Sequence, residues 1–440
     1  MRHALLLTSL LTLVAGCYPD HWVDVSPDGS RMVFSGSRSS AGLWLLAPDG
    51  SRAEQLAKQA SCPKLSPDGK QCVFTTSLPE GQEGKALAVY DFATKQTRVL
   101  HSWPEADGKK APEAVLSQWR PDGRRIAYTV WTEHKDGDAT ADLFIFDPQA
   151  NVDEASFRGT SLLCAWSPDG SRLAFFQNID QREEVREGTL SRLVLVKQDL
   201  AADKKTVLVM TQPMAGLAWL SNDRLVFIAQ KVSLPTAENS VDAGPAAVFL
   251  YDRSLGTVAP LVEHERMAPF VVQPSPDGRQ ILFAATAPTR LVQGDAPKHK
   301  GDGTGYQFWL YDIQTRRKHL VVDGLNYDHL TPPAWFTTGG EKCFACLGPN
   351  DTILTVRADN EGLPTTTRTV NLQPLLAPPT PEPQVAPPAN LPPQGNRATK
   401  GDDTTKADSA KEPAAPQPNP VTPPGKYLFR NGQWVHEESK

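Results

Sequence analysis

The chain has no large excess of charge of either sign: 45 Lys and Arg stand against 50 Asp and Glu, a formal net charge of −5. Nucleic-acid binding calls for a strong basic excess and is set aside on that ground. Long apolar runs are scarce as well, and the stretch Leu5 to Val14 is too short to span a bilayer comfortably as a helix. Cysteine is sparse, with 6 in 440 residues. With Cys17 set apart, Cys62, Cys72, Cys164, Cys343 and Cys346 are an odd set, which rules out a fully paired disulfide framework. Compact catalytic signatures are missing too: there is no Gly-x-Ser-x-Gly elbow, His-Glu-x-x-His helix, phosphate loop or dinucleotide fingerprint.

Turn formers, in contrast, are plentiful, with 39 Pro and 31 Gly, and many fall into a repeat. Ser26-Pro27-Asp28-Gly29 returns as Ser66-Pro67-Asp68-Gly69, Arg120-Pro121-Asp122-Gly123, Ser167-Pro168-Asp169-Gly170 and Ser275-Pro276-Asp277-Gly278. Each copy is followed by an apolar strand, and two degraded copies, around Asn222 and Thr338, lead into LVFIA and CFACL. Proline presets φ for the second turn position, Asp bonds its own backbone, and Gly accepts a positive φ at the exit. Asp28, Asp68, Asp122, Asp169 and Asp277 are therefore read as structural turn formers and not as catalytic acids. Each unit also carries a second strand pair, as in Leu87-Ala88-Val89-Tyr90-Asp91 followed by Thr97-Arg98-Val99-Leu100. Four strands per unit, recurring about every 40 to 60 residues, predict an all-β fold, a β-propeller of seven four-stranded blades.

The repeats resemble the WD-like propeller repeats of the TolB family over roughly residues 21 to 372. That resemblance implies the propeller and leaves function open, since one fold hosts many functions. The α/β domain that TolB-type proteins carry before the propeller is not expected here, since the first repeat follows closely on the N-terminal segment.

Residues 1 to 16 read as an export signal: Arg2 gives a positive start, Leu5 to Val14 an apolar run, and Val14-Ala15-Gly16 small residues before a cysteine. This resembles a bacterial lipobox, which implies cleavage before Cys17, lipidation of Cys17, and a short lipidated N-terminus over residues 17 to 20. Two or more acyl chains give stable anchoring. The expected location is the cell envelope, periplasm-facing or at the surface. Tyr18 stands where Asp would retain the protein in the inner membrane, so the outer membrane is favoured.

The propeller is expected over residues 21 to 373. Trp119, Trp166, Trp219 and Trp335 precede the turn in their units, where packing between blades is expected and the lining of a ligand site is the rival role. The long loops fall between second and third strands and between blades, hence on one face, and insertions gathered on one face of a rigid scaffold mark a binding surface. Its candidate residues are Glu133, His134, Asp136, Asp138, His299, Lys300 and Asp302. Asp136, Asp138 and Asp142 have an acidic spacing but lack the ligand series of a calcium loop, so no metal and no cofactor is expected. Cys62 and Cys72 lie on two arms of one hairpin, where geometry decides on a disulfide. Cys343 and Cys346, three apart on a strand, point to opposite faces and are read as buried thiols.

Residues 374 to 425 are Pro-rich and expected to be a disordered linker. Residues 426 to 440 read as a terminal hairpin around Asn431-Gly432, which docks on the propeller, binds a partner or stays loose. Together these features predict a membrane-anchored, non-catalytic propeller lipoprotein that binds a protein or glycan partner in the envelope. The alternatives are a propeller hydrolase or lyase with its site in the central channel, and a TolB-like envelope-coupling protein.

Overall fold

The computed structural model describes residues 21–375 apart from the segments 37–40, 79–81, 106–110, 134–138, 179–189, 198–204, 234–239, 287–304 and 359–363 and a few shorter ones, together with the strands 427–430 and 433–436. The chain divides into two compact units, Met1–Thr380 and Pro381–Lys440.

The first unit is a seven-bladed propeller. Blade 1 holds β1 (Trp22–Val25), β2 (Met32–Gly36), β3 (Gly42–Leu46) and β4 (Ala53–Ala57), and blade 2 holds β5 (Ala60–Leu65), β6 (Gln71–Ser77), β7 (Gly84–Asp91) and β8 (Gln96–Pro104). Blade 3 follows with β9 (Ala114–Trp119), β10 (Ile126–Glu133), β11 (Ala139–Asp147) and β12 (Val152–Phe157). Blades 4 and 5 run through β13 (Thr160–Trp166), β14 (Arg172–Asn178), β15 (Leu190–Lys197), β16 (Lys205–Ser221), β17 (Arg224–Ser233), β18 (Ser240–Asp252) and β19 (Thr257–Glu263). Blade 6 is β20 (Met267–Pro274), β21 (Gln280–Thr286), β22 (Tyr306–Asp312) and β23 (Lys318–Leu325), and blade 7 is β24 (Ala334–Thr338), β25 (Glu341–Gly348), β26 (Thr352–Ala358) and β27 (Pro364–Asn371). Within each blade neighbouring strands pair in chain order from the channel outward.

Strand alternation then defines two faces. The turns within the first and last strand pairs lie on one, the turn face; the loops between second and third strands and between blades lie on the other, the loop face. The second strand of every blade is covered by the adjacent blades on both sides, and so reads as a continuous apolar run. Each places an aromatic ring at the corresponding position of the core: Phe34, Phe74, Tyr128, Phe175, Phe227, Phe283 and Phe344 are all 0% exposed. The outermost strands β12 and β27 are mostly exposed and β4 is partly so, and polar residues suffice there. A register shift recurs between the third and fourth strands of all seven blades, as at Leu43/Trp44 and Thr355/Val356. Such bulges increase local twist, which turns the outer strand as a propeller blade requires.

Blades 4 and 5 are not separate sheets. β16 is the outer strand of one and the inner strand of the other: Val209, Met210 and Thr211 pair with β15 on one side and with β17 on the other. The two blades thereby merge into one seven-stranded sheet. Pro213 and Gly216 fall inside this strand, and the extended backbone runs on through both.

Among the described residues, blade 7 is built from four consecutive strands and takes none from the N-terminal end. The ring closes by packing. Val23, Val25 and Phe34 of blade 1 share a core with Phe336, Ala345 and Val370 of blade 7, and the Thr337 N–H donates to the Pro27 carbonyl at 2.8 Å. In the second unit, β28 (Tyr427–Arg430) and β29 (Gln433–His436) pair antiparallel, with Arg430 opposite Gln433.

Candidate functional site

The turn face is largely occupied by bonds that hold the ring. In blade 1 the Ser26 hydroxyl donates to Asp28 Oδ1 at 2.6 Å and the Ser30 N–H to the same oxygen at 3.0 Å. Asp68, Asp169 and Asp277 accept the corresponding Ser hydroxyls at 2.7, 2.6 and 2.6 Å, while Asp122, whose turn has Arg120 in place of Ser, accepts the Arg124 N–H at 3.0 Å. These bonds, led by the Ser26 hydroxyl, pull the Asp28 carboxyl down from its usual 3.8 to about 2. A depressed carboxylate contributes stability that is complete above its unfolded value and lost as pH falls through the folded one. The Asp28→Asn variant is therefore expected to show a smaller fall in unfolding midpoint between about pH 4 and pH 2 than the parent. Equal acid sensitivity in the two proteins would count against this role.

Neighbouring blades are stapled as well. Trp119, Trp219 and Trp335 donate their indole N–H to the carbonyls of Lys64, Ala165 and Gln273 on the inner strand of the preceding blade, at 3.1, 2.8 and 3.4 Å. Asp24 joins blade 1 to blade 2, accepting the Leu65 N–H at 2.7 Å and the Lys64 ammonium at 3.2 Å.

The loop-face half of the ring is built differently. The inner strands of blades 2, 4, 5 and 6 shift register there, between Ser61 and Lys64, Thr160 and Cys164, Met214 and Leu217, and Met267 and Val272. Bulges concentrate at rims and next to active sites, where they re-aim side chains. At the blade 2 bulge Cys62 adopts φ 53, a conformation that disfavours non-glycine residues. Burial pushes its thiol up to about 12, so it stays protonated and inert.

Two histidines meet at the loop-face end of the seam between blades 7 and 1. His21 stacks on Phe34 with ring centroids 5.8 Å apart and faces His329 at 6.3 Å. His329 is buried and accepts the Asn326 N–H at Nδ1 over 3.4 Å. The Nδ1 of His21 and the Thr331 hydroxyl are buried without a hydrogen-bond partner.

A second polar cluster lies between blades 2 and 3, away from the channel. Tyr128 carries a hydroxyl where the other six blades have phenylalanine, and donates it to Asp153 Oδ1 at 2.9 Å. His101 lies 6.2 Å from the Tyr128 ring and 4.5 Å from Trp103, centroid to centroid. Burial raises the Asp153 carboxyl, opposed by the Tyr128 bond and by His101. Burial also lowers His101, opposed by Asp153, and drives the Tyr128 phenol up with help from the Asp153 charge. The arrangement satisfies the one hydroxyl in the aromatic ring of the core.

Of the residues singled out from the sequence, Glu133 ends β10 at the loop face. His134, Asp136, Asp138, His299, Lys300, Asp302 and Cys17 lie outside the described residues. Asp142 accepts the Gly159 N–H at 3.2 Å, and among the described residues no group of His, Cys, Asp or Glu is arranged to hold a metal. Cys62 and Cys72 are free thiols, and Cys343 and Cys346 face different cores, towards blade 1 and blade 6 respectively. His21, His329 and Thr331 were not singled out as a group, because they lie at opposite ends of the repeat region and carry no shared spacing.

No protein-family model matches the chain. A dipeptidyl-peptidase 5 of Porphyromonas endodontalis is 24% identical over 283 residues, covering 62% of this chain and 35% of that protein. A TolB homologue of Chlorobium luteolum is 29% identical over 153 residues, 33% of this chain and 31% of that one. The chain thus spans about a third of the length of the curated relatives it matches. Among solved structures, an oligogalacturonate lyase from Vibrio parahaemolyticus superposes with a TM-score of 0.48 at 12% identity, covering 80% of this chain and 91% of that one. The match to a dipeptidyl-peptidase corrects the expectation that the chain is not an enzyme. That expectation rested on motifs contiguous in sequence, whereas a propeller brings side chains together from distant strands, as it does His21 and His329.

Proposed function

We propose that this chain is a cell-envelope protein, lipid-anchored through Cys17, whose propeller holds a protein or glycan ligand on its loop face around the channel mouth. The observation that supports this most is the asymmetry of the ring. Four inner strands bulge in their loop-face halves, whereas in their turn-face halves only that of blade 5 shifts register, between Trp219 and Ser221, and Trp119, Trp219 and Trp335 each bond to the preceding blade. The similarity to a TolB homologue supports the envelope setting.

A second reading, chemistry on the bound ligand, is favoured by the match to a dipeptidyl-peptidase together with the two histidines at the blade 7 and blade 1 seam. There the Nδ1 of His21 is buried without a hydrogen-bond partner beside the ring of His329.

Photo-crosslinking in whole cells separates the faces. A crosslinker in place of Glu133, at the loop-face end of β10, is expected to trap a specific envelope partner, and one in place of Asp122, on the turn face, is not. Adducts from the turn face alone would overturn the assignment. The anchor is checked in the same cells: Cys17→Ala is expected to abolish incorporation of labelled palmitate and to release the protein from the membrane fraction.

A further inference from the structure

Blade 6 gathers exposed cations at its two turns. The first turn exits through Arg279, at the place that Lys70 takes in blade 2, and both side chains are exposed. Lys70 pairs with Asp68 of its own turn at 3.5 Å. In blade 6 the matching carboxylate is taken: Lys342 of blade 7 reaches Asp277 at 2.7 Å, and Arg279 is left outside the pair.

The second turn adds Arg316, Arg317 and Lys318, all exposed. The two turns are tied together by the Ile313 N–H, which donates to the Arg279 carbonyl at 3.0 Å. Asp312, at the start of the second turn, is 7% exposed and accepts the N–H and the hydroxyl of Thr315 at 2.7 and 2.9 Å. None of the four cations makes an ion pair among the described residues.

Arg316 also stands where the backbone disfavours it. Its φ is 59, and the residues at the same place in blades 2, 3 and 5 are Lys95, Asn151 and Gly256, with φ 57, 56 and 65. Glycine and asparagine tolerate this left-handed conformation, whereas a long side chain adopts it under strain. Local conformation therefore gives no reason for an arginine here.

The surroundings add apolar surface and balanced charge. Leu255, on the corresponding turn of blade 5, is 72% exposed, the highest value for a large apolar side chain among the described residues. Leu320 follows Lys318 on the same face of β23 and is 43% exposed. The groove between the two blades is lined by Asp223, Asp252 and Asp277, and each has a cation partner, in Arg253, Arg224 and Lys342 respectively.

We propose that these turn-face tips of blades 5 and 6 dock on the surface of an anionic lipid bilayer, with Arg279, Arg316, Arg317 and Lys318 among the headgroup phosphates and Leu255 in the interface. Cations on convex turns do not enclose a small ligand, but they suit a plane of closely spaced negative charge, and an exposed leucine beside them gains by leaving water. Guanidinium groups in particular take phosphate by two-point hydrogen bonding. The patch lies on the face opposite to the exit of residue 21, so this contact is separate from an anchor at Cys17 and meets an apposed bilayer.

The test is co-sedimentation with vesicles that contain phosphatidylglycerol and with vesicles of pure phosphatidylcholine. The protein used is the chain from residue 17 onward with Cys17→Ala, so that neither the apolar signal nor an acyl chain can insert. It is expected to bind the first kind of vesicle, more weakly at high salt, and not the second. Arg316→Gly relieves the left-handed strain, so it is expected to unfold no earlier than the parent while binding about fivefold more weakly, and Arg317→Gln is expected to lose a similar factor. Leu255→Ser is expected to weaken binding without changing its salt dependence. Lys95→Gly removes the same charge at the same turn position of blade 2 and is expected to bind as the parent does. Equal binding to both kinds of vesicle, equal losses in Lys95→Gly and Arg316→Gly, or binding of the parent to soluble dextran sulfate but not to the vesicles overturns the proposal.

Discussion

Replacing Phe34 with alanine is expected to destabilise the propeller by about 3–5 kcal/mol, the usual cost of emptying a large buried aromatic site. Phe34 is 0% exposed and belongs to the one core shared by the first and last blades. Its ring also carries His21. The cavity therefore opens at the seam that closes the ring, where no shared strand compensates. Denaturant titration measures the size of the effect, and hydrogen exchange measures its location. Amides of blades 1 and 7 are expected to lose protection ahead of those of blades 3 and 4. Uniform loss of protection around the ring would show that the seam is no weaker than any other junction. Phe283→Ala, at the matching position of blade 6, is the control: a similar loss of stability is expected without selective exposure of the seam.

A pair of glycine replacements separates backbone conformation from crowding. Gly278 has φ +66, and a Cβ there would lie 2.6 Å from the Leu220 carbonyl oxygen of the adjacent blade. Gly256 has nearly the same φ, +65, and nothing within 4 Å. For Gly256→Ala only the left-handed conformation is penalised, about 1 kcal/mol. For Gly278→Ala the clash is with backbone, which cannot rotate away, so about 2–4 kcal/mol is expected. Unfolding midpoints of the two variants check this directly, and equal losses would mean that the blade 5 and blade 6 turns can move apart.

The repeat was legible because it is written in local turn chemistry. Ser, Pro, Asp and Gly each act within four residues, so Asp28 and its counterparts could be placed without knowing what surrounds them. The strand that joins blades 4 and 5 was not legible, since the stretch around Pro213 and Gly216 offers turn residues yet lies within one extended strand. Cys343 and Cys346 were legible from alternation alone. The meeting of His21 with His329 was not, because it depends on the ring closing and not on any spacing within a unit.

The way the ring closes has a mechanical consequence. Residue 21 precedes β1 at its loop-face end and Leu372 follows β27 at its loop-face end, so both tails leave the propeller from one side, on blades that touch. A pull between the tails acts as it would on the gap of a split ring. The described residues at that gap offer side-chain packing and the bond from Thr337 to Pro27, with no strand ladder across it. Every blade, in contrast, is sewn internally by antiparallel ladders. Tension is therefore expected to part blade 1 from blade 7 while the blades stay folded, and the ring to spring shut when the load is released.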